Sequence, residues 1–231
     1  MDSNELDLWL SRGYFRMQQR LFTCPLVHFD DVFYSVHWLR IVLADVTYGK
    51  DQLRLFRINA PFTVTVGPFS LTEEVEALYR YYRNSITFDA PDTVESCLLD
   101  GARYTAFDTY SVEVRDENKL IAVGIFDKGF RSIAGIMNFY HPAYRKHSLG
   151  KYLMLQKMRY AQSQDKTYYY PGYLVNNYPK FDYKLFACEA ATEVLDSATN
   201  IWHPFSWEAV KAQSAVIMHQ NRQLISQATE F

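Results

Sequence analysis

Glycine and proline are scarce, 9 and 8 residues in a chain of 231, which argues against a long flexible linker or a low-complexity architecture. Cysteine is scarcer still. Cys24, Cys97 and Cys188 lie far apart with no C-x-x-C spacing, so neither a disulfide framework nor a cysteine zinc site is expected, and each is read as a buried apolar side chain. The six histidines, among them His37, His141 and His147, show no H-x-H or H-x-x-x-H ligand spacing, so no metal is expected. Apolar runs such as Leu120 to Phe126 stop well short of the roughly 20 residues a bilayer span needs. The first residues, "MDSNELDLW", are acidic where a secretory leader is basic. A cytoplasmic protein without membrane contact is the expectation. No internal repeat is visible.

Apolar residues make up 48% of the chain, enough to bury an ordinary core. The formal charge of -2 conceals an uneven distribution. Between Pro142 and Lys184 stand six lysines and two arginines against Asp165 and Asp182, whereas from Leu185 to Phe231 five acids oppose two bases. The central window suits a polyanion, or is simply a solvated lysine-rich face.

Residues 32–46 and 53–66 are rich in β-branched and aromatic side chains and read as strands, with "TYGKDQ" as the hairpin turn between them. "SLTEEVEALYRYYRN" reads as a helix opened by Ser70 and Glu73 as a capping box. Strands are expected over 110–114, 120–126 and 132–140, a helix over 149–164, a short strand over 167–170 and a final helix over 206–227. The segmentation predicted is a β-rich N-terminal part (1–69), a central α/β domain (70–187) and a C-terminal helical extension (188–231).

The loop between a central strand and a helix carries the spacing R-x-x-S-x-G, as Arg145, Ser148 and Gly150. It is similar to the loop with which GNAT acyltransferases present backbone N–H groups and a helix N-terminus to a pyrophosphate. An ordinary serine N-cap gives the same pattern. Three stretches then follow in order: "KLIAVGIFD" (119–127), "NFYHPAYRKHSLGKYLMLQ" (138–156) and "YYYPGYLVNNYPKFDYK" (168–184). Together, over about 108–187, they resemble the C-terminal domain of arginyl-tRNA:protein transferases and their bacterial leucyl-transferring relatives. His141, Pro171 and Phe181 stand where that pattern usually has Asp, Leu and Met, and the N-terminal cysteine cluster of the family has no counterpart beyond Cys24.

The resemblance implies a GNAT-like mixed sheet flanked by helices, with no cofactor beyond aminoacyl-tRNA as co-substrate. Arginine or leucine would pass from tRNA to the N-terminal amine of a protein with an acidic first residue, the chemistry of protein arginylation and the N-end rule. An acyl-CoA or acyl-carrier donor on the same fold, or a domain that binds without turnover, are the alternatives. The implied catalytic candidates are Asp127, as proton acceptor or amino-group ligand, and Tyr140 and Tyr183, as hydroxyl donors to an oxyanion. The implied substrate-binding residues are Arg145, Lys146, Ser148, Gly150 and Lys151 in the basic loop, Tyr168, Tyr170 and Tyr173 as stacking rings, and Lys180 and Lys184 for phosphate or an acidic acceptor. Asp127 also suits a turn, and the tyrosines also suit packing against the helix.

Overall fold

A computed structural model describes residues 1–222 and 226. Helix α1 (Ser3–Ser11) is followed by a small hairpin, β1 (Phe15–Met17) and β2 (Arg20–Phe22). The remaining strands join in one nine-stranded sheet. They are β3 (Leu26–Phe29), β4 (Val32–Val42), β5 (Thr63–Pro68), β6 (Thr109–Asp116), β7 (Lys119–Lys128), β8 (Ser132–Tyr140), β9 (Tyr168–Val175), β10 (Thr192–Asp196) and β11 (Ile201–Pro204). Their spatial order is β11-β10-β4-β9-β8-β7-β6-β5, with β3 also paired to β4. Every ladder is antiparallel except β8 with β9, which are parallel and joined by the crossover helix α5 (Leu149–Ser163).

Strand β7 shows how the sheet is covered. Ala122 and Phe126 belong to a core with Leu149, Leu153 and Met158 of α5. The alternate residues Val123 and Ile125 pack with Val75, Leu78 and Tyr79 of α3 (Glu73–Arg83) and with Val94 and Leu98 of α4 (Val94–Leu98). Both faces of β7 are therefore buried, as its nearly continuous apolar sequence requires. The mixed α/β sheet flanked by helices is the expected fold class, and the 132–140 strand, 149–164 helix and following strand are where the spacing put them.

The expected strand over 53–66 is corrected. Residues Lys50–Ile58 form a helix, α2, and only Thr63–Pro68 is a strand. Leu53 and Leu55 alternate with Arg54 as they would in a strand, yet Leu53 is 51% exposed while the polar Asn59 is fully buried. Asn59 Nδ2 donates to Leu55 O at 2.9 Å and to His147 O at 3.1 Å, so burial here follows a hydrogen-bonding need that hydrophobic periodicity does not register. With α2 in place, "TYGKDQ" leads into a helix and is no hairpin turn. The cap of α3 is also corrected from Ser70 to Thr72, whose hydroxyl accepts from Val75 N. The final helix α6 spans Trp207–Gln220, capped by Ser206; of its expected range, 223–225 and 227 lie outside the described residues.

Candidate active site

The parallel pairing of β8 and β9 is short. It holds only Ser132 with Tyr168, Ile133 with Tyr169 and Ala134 with Tyr170. Beyond it β9 remains paired to β4 while β8 remains paired to β7, so the two central strands part. The sequence dictates the break. Pro171 has no N–H to offer a ladder, and Gly172 takes φ of 101°, a left-handed backbone that a side chain would strain. Opposite them, the Tyr169 hydroxyl lies 2.7 Å from where a Cβ on Gly135 would stand, so the absence of a side chain there lets the ring lie in the gap.

Two adjoining cavities occupy this opening. The inner one, about 230 Å³, is lined by Phe22 and Trp38, by Met137 and Met154, and by Arg16, Lys157 and Lys184. The outer one, about 1060 Å³, is lined by Tyr140, Arg145, Ser148, Gly150 and Lys151 on one wall and by Tyr173, Tyr178, Lys180, Phe181 and Tyr183 on the other. Asn138, Tyr173, Phe181 and Tyr183 border both. The Lys180 ammonium sits 4.2 Å over the Phe88 ring, so the turn after β9 meets the loop after α3 across the outer cavity.

The basic wall is built by a 3-10 turn, Pro142–His147, which Pro142 starts and whose first N–H groups are met by His141 Nδ1 accepting from Ala143 N. Ser148 then adopts φ 49°, ψ 44° and makes no side-chain capping hydrogen bond, correcting its reading as an ordinary N-cap. This is the left-handed conformation that glycine favours, and it leaves the positive end of α5 beside the outer cavity without a side-chain cap.

Eight of the sequence candidates line the outer cavity: Tyr140, Arg145, Ser148, Gly150, Lys151, Tyr173, Lys180 and Tyr183. Lys184 lines the inner one, 8% exposed, with Nζ donating to Tyr173 O at 2.7 Å beneath the rings of Phe181 and Tyr183. Burial pulls its pKa down to about 7, against the opposing pull of Asp182. Lys146 is exposed on the turn and lines neither cavity. Tyr168, half-buried, stacks under the Arg40 guanidinium at 4.1 Å, and Tyr170 is buried against Phe15 and Trp202, so both expected stacking rings are taken up by contacts within the protein and line neither cavity.

Asp127 is fully buried and lines neither cavity. Its Oδ1 accepts from Arg16 Nη1 at 2.8 Å and from Thr109 Oγ1 at 2.7 Å. Burial pushes its pKa up to about 6, opposed by Arg16 and by the Thr109 hydrogen bond. A carboxylate so enclosed holds Arg16 in place at the cavity edge and has no access to a substrate.

Two residues bear on the site that the sequence did not single out. Asn138 borders both cavities with Oδ1 buried and unpartnered among the described residues; a lone amide inside the apolar run of β8 is the signal that marks it. Lys157 is wholly buried, its Nζ donating to Ile125 O and Met137 O. The signal for it is a lysine one turn from Leu153 and Ala161 on a buried helix face. Among the described residues no group of three or more His, Cys, Asp or Glu side chains is gathered where it would hold a metal ion.

Residues 74–187 match the family described as arginine-tRNA-protein transferase, C terminus. The matched segment contains β6 to β9, α5 and every candidate lining residue named from the resemblance. This segment belongs to the leucyl/arginyl-tRNA:protein transferase family. Among curated proteins of this family the chain is similar to the aspartate/glutamate leucyltransferase of Hahella chejuensis, 28% identical over 63% of each chain. It is also similar to those of Leptospira interrogans, 26% identical over 71% of this chain and 65% of that one, and of Saccharophagus degradans, 31% identical over 63% of each. The match thus spans less than two thirds of these relatives' length. Among solved structures, that of L-PGS from Bacillus licheniformis aligns with a TM-score of 0.43 at 16% identity, over 77% of this chain and 52% of that one.

No described helix is long and apolar enough to cross a membrane.

Proposed function

We propose that this protein is a cytoplasmic aminoacyltransferase that moves an amino acid, leucine in the first instance, from tRNA to the N-terminal amine of proteins beginning with Asp or Glu. What supports this reading is the convergence of eight motif residues on one cavity that adjoins a smaller one, where the side chains of Phe22, Trp38, Met137 and Met154 meet those of Arg16, Lys157 and Lys184. The acceptor amine attacks the ester carbonyl carbon, a tetrahedral oxyanion forms, and the ribose hydroxyl leaves as the amide closes. Ester to amide transfer runs downhill and consumes no ATP. The protein's task is positioning, proton removal and oxyanion stabilisation.

Arg145 and Lys151 take the phosphates of the single-stranded RNA end, with Tyr173 and its neighbours supplying faces for a base. The inner cavity, walled by Trp38, Phe22, Met137 and Met154 and ringed by cations with no acidic lining residue, suits an uncharged branched side chain and disfavours arginine. Lys180 faces the acidic acceptor residue. Tyr140 and Tyr183 offer hydroxyls to the oxyanion. Lys184, poised near neutrality, takes the proton that the attacking ammonium loses.

The test is transfer of labelled leucine or arginine from charged tRNA to peptides beginning with Asp, Glu or Ala. Leucine transfer to the acidic peptides is expected, and no transfer from any aminoacyl-tRNA removes this function. Because the uncapped end of α5 also suits a pyrophosphate, coenzyme A is the control ligand in calorimetry. Lys151→Glu is expected to weaken binding of an acceptor-stem RNA at low salt and to lower the slope of log affinity against log salt by about 1. An unchanged affinity would count against the outer cavity as the RNA site.

A further inference from the structure

Helix α2 lines neither cavity but is fastened at both ends to neighbours of the outer cavity's lining residues, Phe186 against Lys151 and His147 next to Ser148 in the chain. Near its start Gln52 Nε2 donates to Phe186 O at 2.7 Å, and the Lys151 ammonium sits 4.5 Å over the ring of that same Phe186. At its end Asn59 Nδ2 donates to His147 O, the residue that follows Arg145 and Lys146. Phe62, just beyond, packs on Tyr144 and His147. The apolar side chains of α2 are already used, Leu55 being buried and Phe56 and Ile58 packed on the main core.

The outward face is basic. Lys50, Arg54 and Arg57 are exposed and occupy positions i, i+4 and i+7, one stripe along the helix. The stripe adjoins the turn bearing the exposed Arg145 and Lys146. Among the described residues none of these five cations is in an ion pair. Asp51 is the one acid on the helix. Five cations outside any ion pair, on a helix and a turn that are hydrogen-bonded to each other, form a surface for a row of phosphates, and duplex RNA is recognised largely through its backbone and shape.

We propose that the α2 stripe, Lys50, Arg54 and Arg57, binds the base-paired stem of the donor RNA and so aims its single-stranded end into the outer cavity. This rests on the reading that the donor is tRNA. An anionic membrane is the less suitable partner, because an interfacial helix must present an apolar face and that of α2 is turned into the core, leaving only Leu53 exposed.

The experiment compares wild type with Arg54→Glu/Arg57→Glu in binding two uncharged RNAs by fluorescence anisotropy across a salt series. One is an acceptor-stem minihelix and the other a single-stranded oligonucleotide ending in CCA. The variant is expected to lose roughly tenfold or more in minihelix affinity at low salt and about 2 in the salt slope, with single-strand binding and thermal melting unchanged. Arg54→Gln/Arg57→Gln repeats the test without charge reversal should the first variant melt early. Unchanged minihelix binding overturns the proposal, as does equal loss on both RNAs, or loss confined to phosphatidylglycerol vesicles. Transfer by wild type from a short leucyl-CCA donor tests the underlying reading separately, since that donor has no stem.

Discussion

Replacing Arg16 with methionine is expected to cost about 3–5 kcal/mol of folding stability, the loss typical of breaking a buried ion pair from one side. The Arg16 side chain is 1% exposed and that of Asp127 is 0%. Besides Asp127 Oδ1, the guanidinium donates to Thr109 Oγ1 at 2.9 Å, to Leu98 O at 2.7 Å and to Gln18 O at 2.6 Å, and its Cζ lies 4.4 Å from the Phe107 ring. One side chain thus ties β1 to β6, β7 and the end of α4. Without it Asp127 keeps only the Thr109 hydroxyl, and its Oδ2 is already unpartnered among the described residues. The deficit has a definite pH dependence. Losing Arg16 raises the folded pKa of Asp127 above about 6 while the unfolded value stays near 3.8. The unfolded chain then holds fewer protons between those limits, so stability falls as pH rises through the folded pKa. Urea unfolding is expected to show a larger loss at pH 7 than at pH 4. Arg16→Met/Asp127→Leu is expected to recover much of it, because the charge and its partner leave together. A single variant within about 1 kcal/mol of wild type would show that the pair does not hold the hairpin.

Lys157→Met is expected to be more stable than wild type at pH 6 and less stable at pH 9.5, with the difference between the variants shifting by about 3 kcal/mol across that range. Lys157 is fully buried, and burial draws its pKa down to about 7, the nearby Asp127 carboxylate opposing the shift. The unfolded value is near 10.5, so between pH 7 and 10.5 the unfolded chain binds the extra proton and stability climbs with pH. Below pH 7 both states are charged and the cost of burying the ammonium is felt in full. A neutral amine has two N–H groups, matching its two acceptors, Ile125 O at 2.7 Å and Met137 O at 3.1 Å. Methionine removes the charge cost but also the two hydrogen bonds that the amine donates, which is why the order reverses once the lysine is neutral. Lys184, also near 7, keeps a similar slope in both proteins. Parallel stability curves for the two proteins would mean that Lys157 remains charged in the folded protein throughout.

Local pattern carried the central unit well. The alternation in 110–140, the apolar stripe of α5 and the R-x-x-S-x-G loop each depend on neighbours close in the chain, and each stands in the structure where its spacing puts it. The motif order also named the cavity walls, since Tyr140, Arg145, Lys151, Tyr173 and Tyr183 come from adjoining segments of one crossover. What was illegible depended on distant partners. Asp127 looks open at a strand end until Arg16, from the far side of the sequence, covers it. Tyr168 and Tyr170 look available until Arg40 covers a face of the first and Phe15 and Trp202 enclose the second. Helix α2 was hidden for another reason: Leu53 faces water while Asn59 faces the core, where its amide serves the Leu55 and His147 carbonyls.

The position of β4 bears on how the chain comes to be folded. This strand is made early, over Val32–Val42, yet its neighbours on the two sides are β9, at Tyr168–Val175, and β10, at Thr192–Asp196. During synthesis β4 therefore emerges with β3 as its one available partner and with Val36, Leu39 and Ile41 uncovered, and must wait until most of the chain has been made. Contacts so distant in sequence are slow to form, and unpaired apolar edges invite association while they wait. The same arrival of β9 that builds the cavity beside β8 also covers one side of β4, and β10 then closes the other, so the site forms as part of the step that begins to protect the chain from aggregation.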